Sequence, residues 1–298
     1  MSDTVKLGLI SEGTHTWPLY VAQMRRLFER EGIEVQVTVT GSSAAQQEAL
    51  ISGVLDIGVQ QADHVVRAVE QGADLFIFMA QADAPDLTLV GAPDVRGIEH
   101  LAGRPIAVDG ARTGYALLLR QLLQRHGLAD ADMDLQEVGG SQERFDAMKD
   151  GSVAASLLNP PFDSSLIEAG YWSLARLNDV FPLYPGPVMA ARRTWAETNE
   201  AALLAFLRAY DAAYAWLQDP SNRGDAMGLL PSRLSIAPRA AIAAVGKFRQ
   251  QPKPQIGVEG LMQVIDTVWD AEGYALPKPD PSRYLDLSYA ARARGIAG

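Results

Sequence analysis

A His, a Trp, a Glu and three hydroxyl side chains fall within seven positions, in the stretch SEGTHTW from Ser11 to Trp17. His15 can donate, accept or carry a proton, depending on its ionisation. Paired with Glu12 or with Asp109, it has the groups for general acid–base work. Without proton transfer, His15 and Glu12 can simply hydrogen-bond a ligand. Trp17 suits either packing under the next helix or the wall of a flat ligand site. Three further stretches carry similar equipment: TGSSAAQQ (40–47), QQADH (60–64) and DGARTGY (109–115). Ser42, Ser43 and Thr113 sit where helices should begin, so free backbone N–H groups there can hold an anion or a carbonyl oxygen. Arg112 adds a bidentate donor for carboxylate or phosphate. Gln61 and Asp109 bring polar groups to the same turns. Asn159, in LLNPPFDSS, hydrogen-bonds in both directions. Tyr184, in FPLYPGPV, can cover a cleft or pack a hinge.

Taken singly, each turn is as well explained by helix capping and a solvated Arg112. Four of them after four apolar runs favour a shared cleft, because ligands of α/β sheets bind at the carboxyl ends of the strands. His64, beside Asp63 in the third of these turns, and His100 and His126 are read as ordinary surface or packing residues. The motifs of other chemistries are missing. There is no P-loop, no dinucleotide glycine fingerprint, no HExxH, no His pair at metal spacing and no GxSxG elbow. Neither a metal nor a cofactor is expected.

The elements that must hold these residues alternate. Strands are expected at 5–10, 35–40, 56–59, 76–80, 87–90, 105–108, 135–138 and 153–158. Between several of them lie amphipathic helical patterns, notably PLYVAQMRRLFEREG, with Pro18 in its first turn and Gly32 at its end, and GYALLLRQLLQRHG, closed by Gly127. Such alternation predicts parallel α/β sheets. From Asn199 to about Tyr274 the pattern is nearly all helical, broken at Pro220, Pro231, Pro238 and QPKPQ. Two Pro/Gly-rich segments, 91–105 and 181–193, look like hinges. They predict two lobes with crossings near 91–95 and 184–188. Residues 1–91 and 188–298 would form the first lobe and 92–187 the second.

With 298 residues and 48% hydrophobic content, the chain can bury a sizeable core. A formal net charge of −10 and no basic block argue against nucleic acid as a partner. The chain has no cysteine, which excludes disulfides and thiolate catalysis. Its longest apolar helix pattern is interrupted by Arg208 and Asp211, so no membrane span is expected. MSDTVKLGLI has no basic stretch followed by an apolar run and a small-residue cleavage site, as a signal peptide would show. A periplasmic address is expected if a leader has been removed, and a cytoplasmic one if Met1 is the native start.

The segments THTWPLYVAQMRRLFEREGIEVQV, GSSAAQQEALISGVLDIGVQQADHVVRAVEQGADL and LAGRPIAVDGARTGYALLLRQLLQRHGL, with AARRTWAETNEAALLAFLRAYDAAYAWLQDPSN, follow one another in order. Together they resemble the NMT1/THI5-like proteins, relatives of the nitrate, sulfonate, taurine and pyrimidine-precursor binding components of ABC importers. The resemblance spans about Val5 to Asn222. It implies a type II periplasmic-binding-protein fold, two α/β lobes that close on a ligand by hinge motion. It also implies a small-molecule ligand, a membrane permease as partner if the chain is exported, and a monomer. His15 matches a His of the pyrimidine-precursor branch. The cysteine-rich segment of the precursor-synthesising enzymes is missing.

The expected function is therefore capture of a small polar or aromatic, anionic solute in the interlobe cleft. Its candidate contacts are Glu12, His15, Trp17, Ser42, Ser43, Gln61, Asp109, Arg112, Thr113, Asn159 and Tyr184. The alternative is a cytoplasmic enzyme on the same fold, a decarboxylase or isomerase of an aromatic acid with His15 as acid/base. A cytoplasmic ligand sensor is a third possibility.

Overall fold

The computed structural model describes residues 3–233, 242 and 253–295. Among these residues, ten strands form two five-stranded sheets. The first has the order β2-β1-β3-β10-β4 and the second β7-β6-β8-β5-β9. In the first sheet, β1 (Asp3–Leu9) pairs in parallel with β2 (Ile33–Val39) and β3 (Ile57–Gln60). In the second, β6 (Pro105–Val108) pairs in parallel with β7 (Asp134–Glu137) and β8 (Ala155–Leu158). β3 and β4 (Leu75–Ala80) are buried at every position. Strands covered by helices on both faces are buried along their whole length rather than at alternate positions.

Both sheets are mixed rather than parallel. β5 (Thr88–Gly91) enters the second sheet antiparallel to β8 and to β9 (Trp172–Arg176). β10 (Val188–Arg192) returns to the first sheet, antiparallel between β3 and β4. β9 and β10 were not anticipated in the sequence. The expected first crossing at 91–95 comes one strand too late: residues 88–91 already pair in the second sheet, so the chain crosses between β4 and β5. The second crossing runs from α8 (Leu177–Val180) to β10 and contains Tyr184.

The helices differ from expectation at one informative point. PLYVAQMRRLFEREG is two helices, α1 (Trp17–Met24) and α2 (Leu27–Arg30), separated by Arg26 with a left-handed φ of 55°. The kink turns Phe28 inward, where it is 1% exposed and stacks on Phe206 of α10 (Glu200–Gln218) with ring centroids 5.5 Å apart. α3 (Ser43–Ser52) is capped by Ser42 and ended by Gly53 in the left-handed region. α4 (Ala62–Glu70), α5 (Gly114–Arg125), α6 (Ser141–Asp150) and α7 (Phe162–Glu168) follow β3, β6, β7 and β8. Each of these helices therefore starts at the carboxyl end of a strand. The helix Val258–Glu272 packs against α4 and α5, and the tail covers the edge of β4, where the Ile77 N–H donates to Tyr284 O at 2.7 Å. The expected breaks at Pro238 and in QPKPQ fall wholly or partly outside the described residues. Among the described residues no helix is long and apolar enough to cross a membrane.

Candidate functional site

The strand ends of the two sheets face one another across a cavity of about 100 Å³. The first sheet contributes Ser11, Thr14 and His15 after β1, Gln60 and Gln61 at the end of β3, and Gln81 after β4. The second contributes Asp109 after β6, Tyr115 in α5, Gly140, Ser141 and Arg144 at the start of α6, and Asn159 and Pro160 after β8. Asp86, Leu87 and Pro187 of the crossings also line it, with Ile10, Val59 and Ala82. The two sides touch directly. The Thr14 N–H donates to Pro160 O and the Gly140 N–H to Gly41 O, each at 3.2 Å. The lobes are therefore closed on each other.

Polar atoms in this cavity lack protein partners. Both amide atoms of Gln60, Oε1 of Gln61 and Gln81, Oδ2 of Asp109 and the Tyr115 hydroxyl are buried without a hydrogen bond. Gln60 is 2% exposed, so its amide is shut off from bulk solvent. Buried polar atoms in folded proteins are nearly always paired, so a cluster of exceptions needs a cause.

Arg144 is the cavity's cation. It is 7% exposed and makes no ion pair among the described residues. Its Nε donates to Leu157 O at 3.2 Å, Nη1 to Gly139 O and Nη2 to Ser141 Oγ at 3.2 Å. These three bonds leave two of its five N–H groups for another acceptor. Burial pushes the Arg144 pKa below its usual value, opposed by the charges of Asp109 and Glu143. The Ser141 hydroxyl donates in turn to Asn159 Oδ1, and Asn159 Nδ2 to Pro160 O at 3.0 Å. His15 is pushed down to about 4 by burial, with a backbone hydrogen bond at Ser11 opposing. It is a neutral imidazole near pH 7.

The candidate residues divide into three groups. His15, Gln61, Asp109 and Asn159 line the cavity. Ser42, Ser43, Arg112 and Thr113 line a separate, more open cleft that meets the cavity at Asp109. There Ser42 caps α3, Thr113 caps α5, and Arg112 is 72% exposed and bound to Glu272 at 2.5 Å. A long cationic side chain at a rim finds the nearest carboxylate, and Arg112 is held by Glu272 outside the cavity lining. Glu12, Trp17 and Tyr184 line neither space. Glu12 accepts from the Tyr20 hydroxyl, Trp17 is a fully buried core residue, and Tyr184 is 1% exposed against Tyr115.

Sequence reasoning missed Gln60, Gln81 and Arg144. The two glutamines had a signal: each closes or directly follows an apolar strand, where an aliphatic residue would otherwise stand. Arg144 had none, since an Arg in SQERFDAMKD is ordinary for a solvated helix face. No group of three or more His, Asp or Glu that could hold a metal ion occurs among the described residues.

The architecture and the cleft are those of the type II periplasmic-binding-protein fold. The NMT1-like family model matches residues 2–230, and the chain belongs to that family. The putative binding protein YtlA of Bacillus subtilis is 24% identical over 293 residues, covering 94% of this chain and 86% of that protein. The alkanesulfonate-binding protein SsuA of Xanthomonas axonopodis, solved bound to MOPS, superposes with a TM-score of 0.77 at 18% identity, covering 95% of this chain and 98% of SsuA. The desulfurization enzyme DSZB shares the fold as well, with a TM-score of 0.69 at 13% identity, covering 98% of this chain and 99% of that one.

Proposed function

We propose that this protein is a solute-binding protein that closes its two lobes around one small polar or aromatic molecule. The observation that carries this reading is a set of six buried polar atoms without protein partners, on five residues that line one cavity. Each costs about 1–3 kcal/mol while unpaired, and a ligand that pairs with them recovers that cost on binding. The glutamine amides and Asp109 call for a ligand with several donors and acceptors. Arg144 calls for an anionic or strongly accepting group on the opposite side. Tyr115, Pro160, Leu87 and Pro187 supply apolar surface for a flat ring. The finer form of this reading is an exported component of an ABC-type importer that hands its solute to a membrane permease, as the names of relatives suggest.

A thermal-shift screen over aromatic acids, sulfonates and pyrimidines tests the reading. A compound that raises the melting temperature in wild type, and loses that effect in Gln60→Leu, supports it. No response to any class argues against it.

The enzyme reading retains one observation: His15 and Asp109 line the same cavity. Two others weaken it. Glu12 is engaged by Tyr20, and His15 at a pKa of about 4 is a poor base near neutrality. Mass spectrometry of ligand recovered after long incubation separates the two, because an enzyme returns a changed molecule.

A further inference from the structure

Beside the cavity, a buried carboxylate of one lobe holds the start of a helix in the other. Asp63, on α4, is completely buried. Such a charge is costly unless it is paired and hydrogen-bonded. Its Oδ2 accepts from Arg67, one turn along the same helix, and from the backbone N–H of Gly114 at 2.8 Å. Arg67 Nε donates to Glu272 at 2.9 Å, and the other oxygen of Glu272 binds Arg112 at 2.5 Å. α4 follows β3 of the first sheet and packs against the helix Val258–Glu272, which also touches α5, whereas Gly114 and Arg112 follow β6 of the second. The chain Gly114–Asp63–Arg67–Glu272–Arg112 thus leaves the second lobe, passes through the first and returns.

Gly114 is the first residue of α5, so its N–H is one of the four that a helix cannot satisfy internally. A carboxylate at that end is also favoured by the helix dipole. The approach is tight. A Cβ at Gly114 would stand 2.3 Å from the Tyr184 hydroxyl and 2.6 Å from Asp63 Oδ1. Only a residue without a side chain lets the two lobes meet there. The next residue, Tyr115, lines the cavity, and its ring lies 6.2 Å from that of Tyr184 in the second crossing. One junction therefore joins a lobe contact, a hinge segment and a cavity wall.

We propose that Asp63 is a positioning residue. Its carboxylate latches the N-terminus of α5 across the lobe boundary, stabilises the closed arrangement and seats Tyr115 in the cavity wall. Only the role of Tyr115 rests on the solute-binding reading; the latch itself is tested without ligand. An ion pair buried within one lobe would stay intact when the lobes part. The Asp63–Gly114 bond cannot, so it biases closure.

The chain has no cysteine, so two introduced cysteines label it uniquely. Glu48→Cys on α3 and His126→Cys after α5 are exposed and lie on opposite lobes. Pulsed electron spin resonance between spin labels at these sites measures the closed-to-open ratio of the ligand-free, full-length protein. We expect a closed species in the parent. Asp63→Ala should lower the ratio about tenfold, as loss of a charged hydrogen bond implies. Gly114→Ala should lower it comparably by obstructing the junction while keeping every charge and adding a good helix former. Arg112→Ala, at the exposed end, should change it less than about twofold. Circular dichroism checks folding, and Gly114→Ala decides the matter if Asp63→Ala does not fold. The same ratio in the parent and the folded variants, or no closed species in the parent, overturns the latch. A solute screen without hits, alongside a ratio that still responds to Asp63→Ala, sinks the solute reading and leaves the latch standing.

Discussion

Gln60 is the residue where stability and binding should part company. Its amide is 2% exposed and has no partner for either polar atom. Gln60→Leu replaces an unsatisfied buried amide with an apolar group of similar size, so we predict a ligand-free protein more stable by about 1–2 kcal/mol, read from urea unfolding. The same variant should lose most ligand affinity. A destabilised Gln60→Leu would mean that the amide serves the fold instead. His15 makes a pH prediction. Its folded pKa, about 4, lies below the ordinary 6.5. The native state therefore binds fewer protons than the unfolded one between these values, and stability rises with pH there. The contribution is fully present above pH 6.5 and is lost as pH falls to about 4, up to about 3 kcal/mol. His15→Gln should flatten that part of the profile, as urea midpoints at pH 7 and pH 4.5 would reveal. Arg112→Ala should change ligand affinity by less than about 0.5 kcal/mol, because the side chain is exposed and already paired with Glu272; a titration showing a larger loss would restore it as a ligand clamp. The difference between Arg112 and Arg144 marks the limit of residue-level reading. Arg112 stood in a turn that looked like a site, while Arg144 stood in a helix that looked solvated. Only the packing of α6 against β8 puts Arg144 inside.

At the scale of elements, the sequence carried the strands whose apolar runs are bounded by turn residues, and the four polar turns that follow β1, β2, β3 and β6. It did not carry β10, whose VMAAR lies in a Pro/Gly-rich segment with the composition of a hinge. Nor did it show that β5 changes sheets, because a short buried strand has the same composition on either side of a crossing. The break between α1 and α2 was hidden for a related reason. The apolar spacing continues through Arg26, and only the demand that Phe28 reach Phe206 bends the backbone there. The caps were legible and give a modest prediction. Thr113 Oγ1 accepts from the Ala116 N–H at 3.4 Å, so Thr113→Ala should destabilise the protein by about 1 kcal/mol in urea unfolding. Its effect on ligand affinity should be small, because Thr113 lines the outer cleft and not the cavity.

At the scale of the molecule, the chain crosses to the second sheet after β4 and returns to the first with β10, so the strand ends of the two mixed sheets meet across one cleft. Closure brings Gln60, Gln61 and Gln81 from one lobe against Asp109, Arg144 and Asn159 from the other. Atoms of Gln60, Gln61, Gln81 and Asp109 stay without protein partners in this closed arrangement, and in the proposed reading a bound solute pairs with both sides at once. That is the central claim, and native mass spectrometry tests it most directly. Wild type incubated with the hits of the solute screen should retain one small molecule per chain. Gln60→Leu should retain none, and the ligand released from wild type should have the mass it entered with. A wild-type protein that binds nothing, or a ligand released with altered mass, would contradict the account.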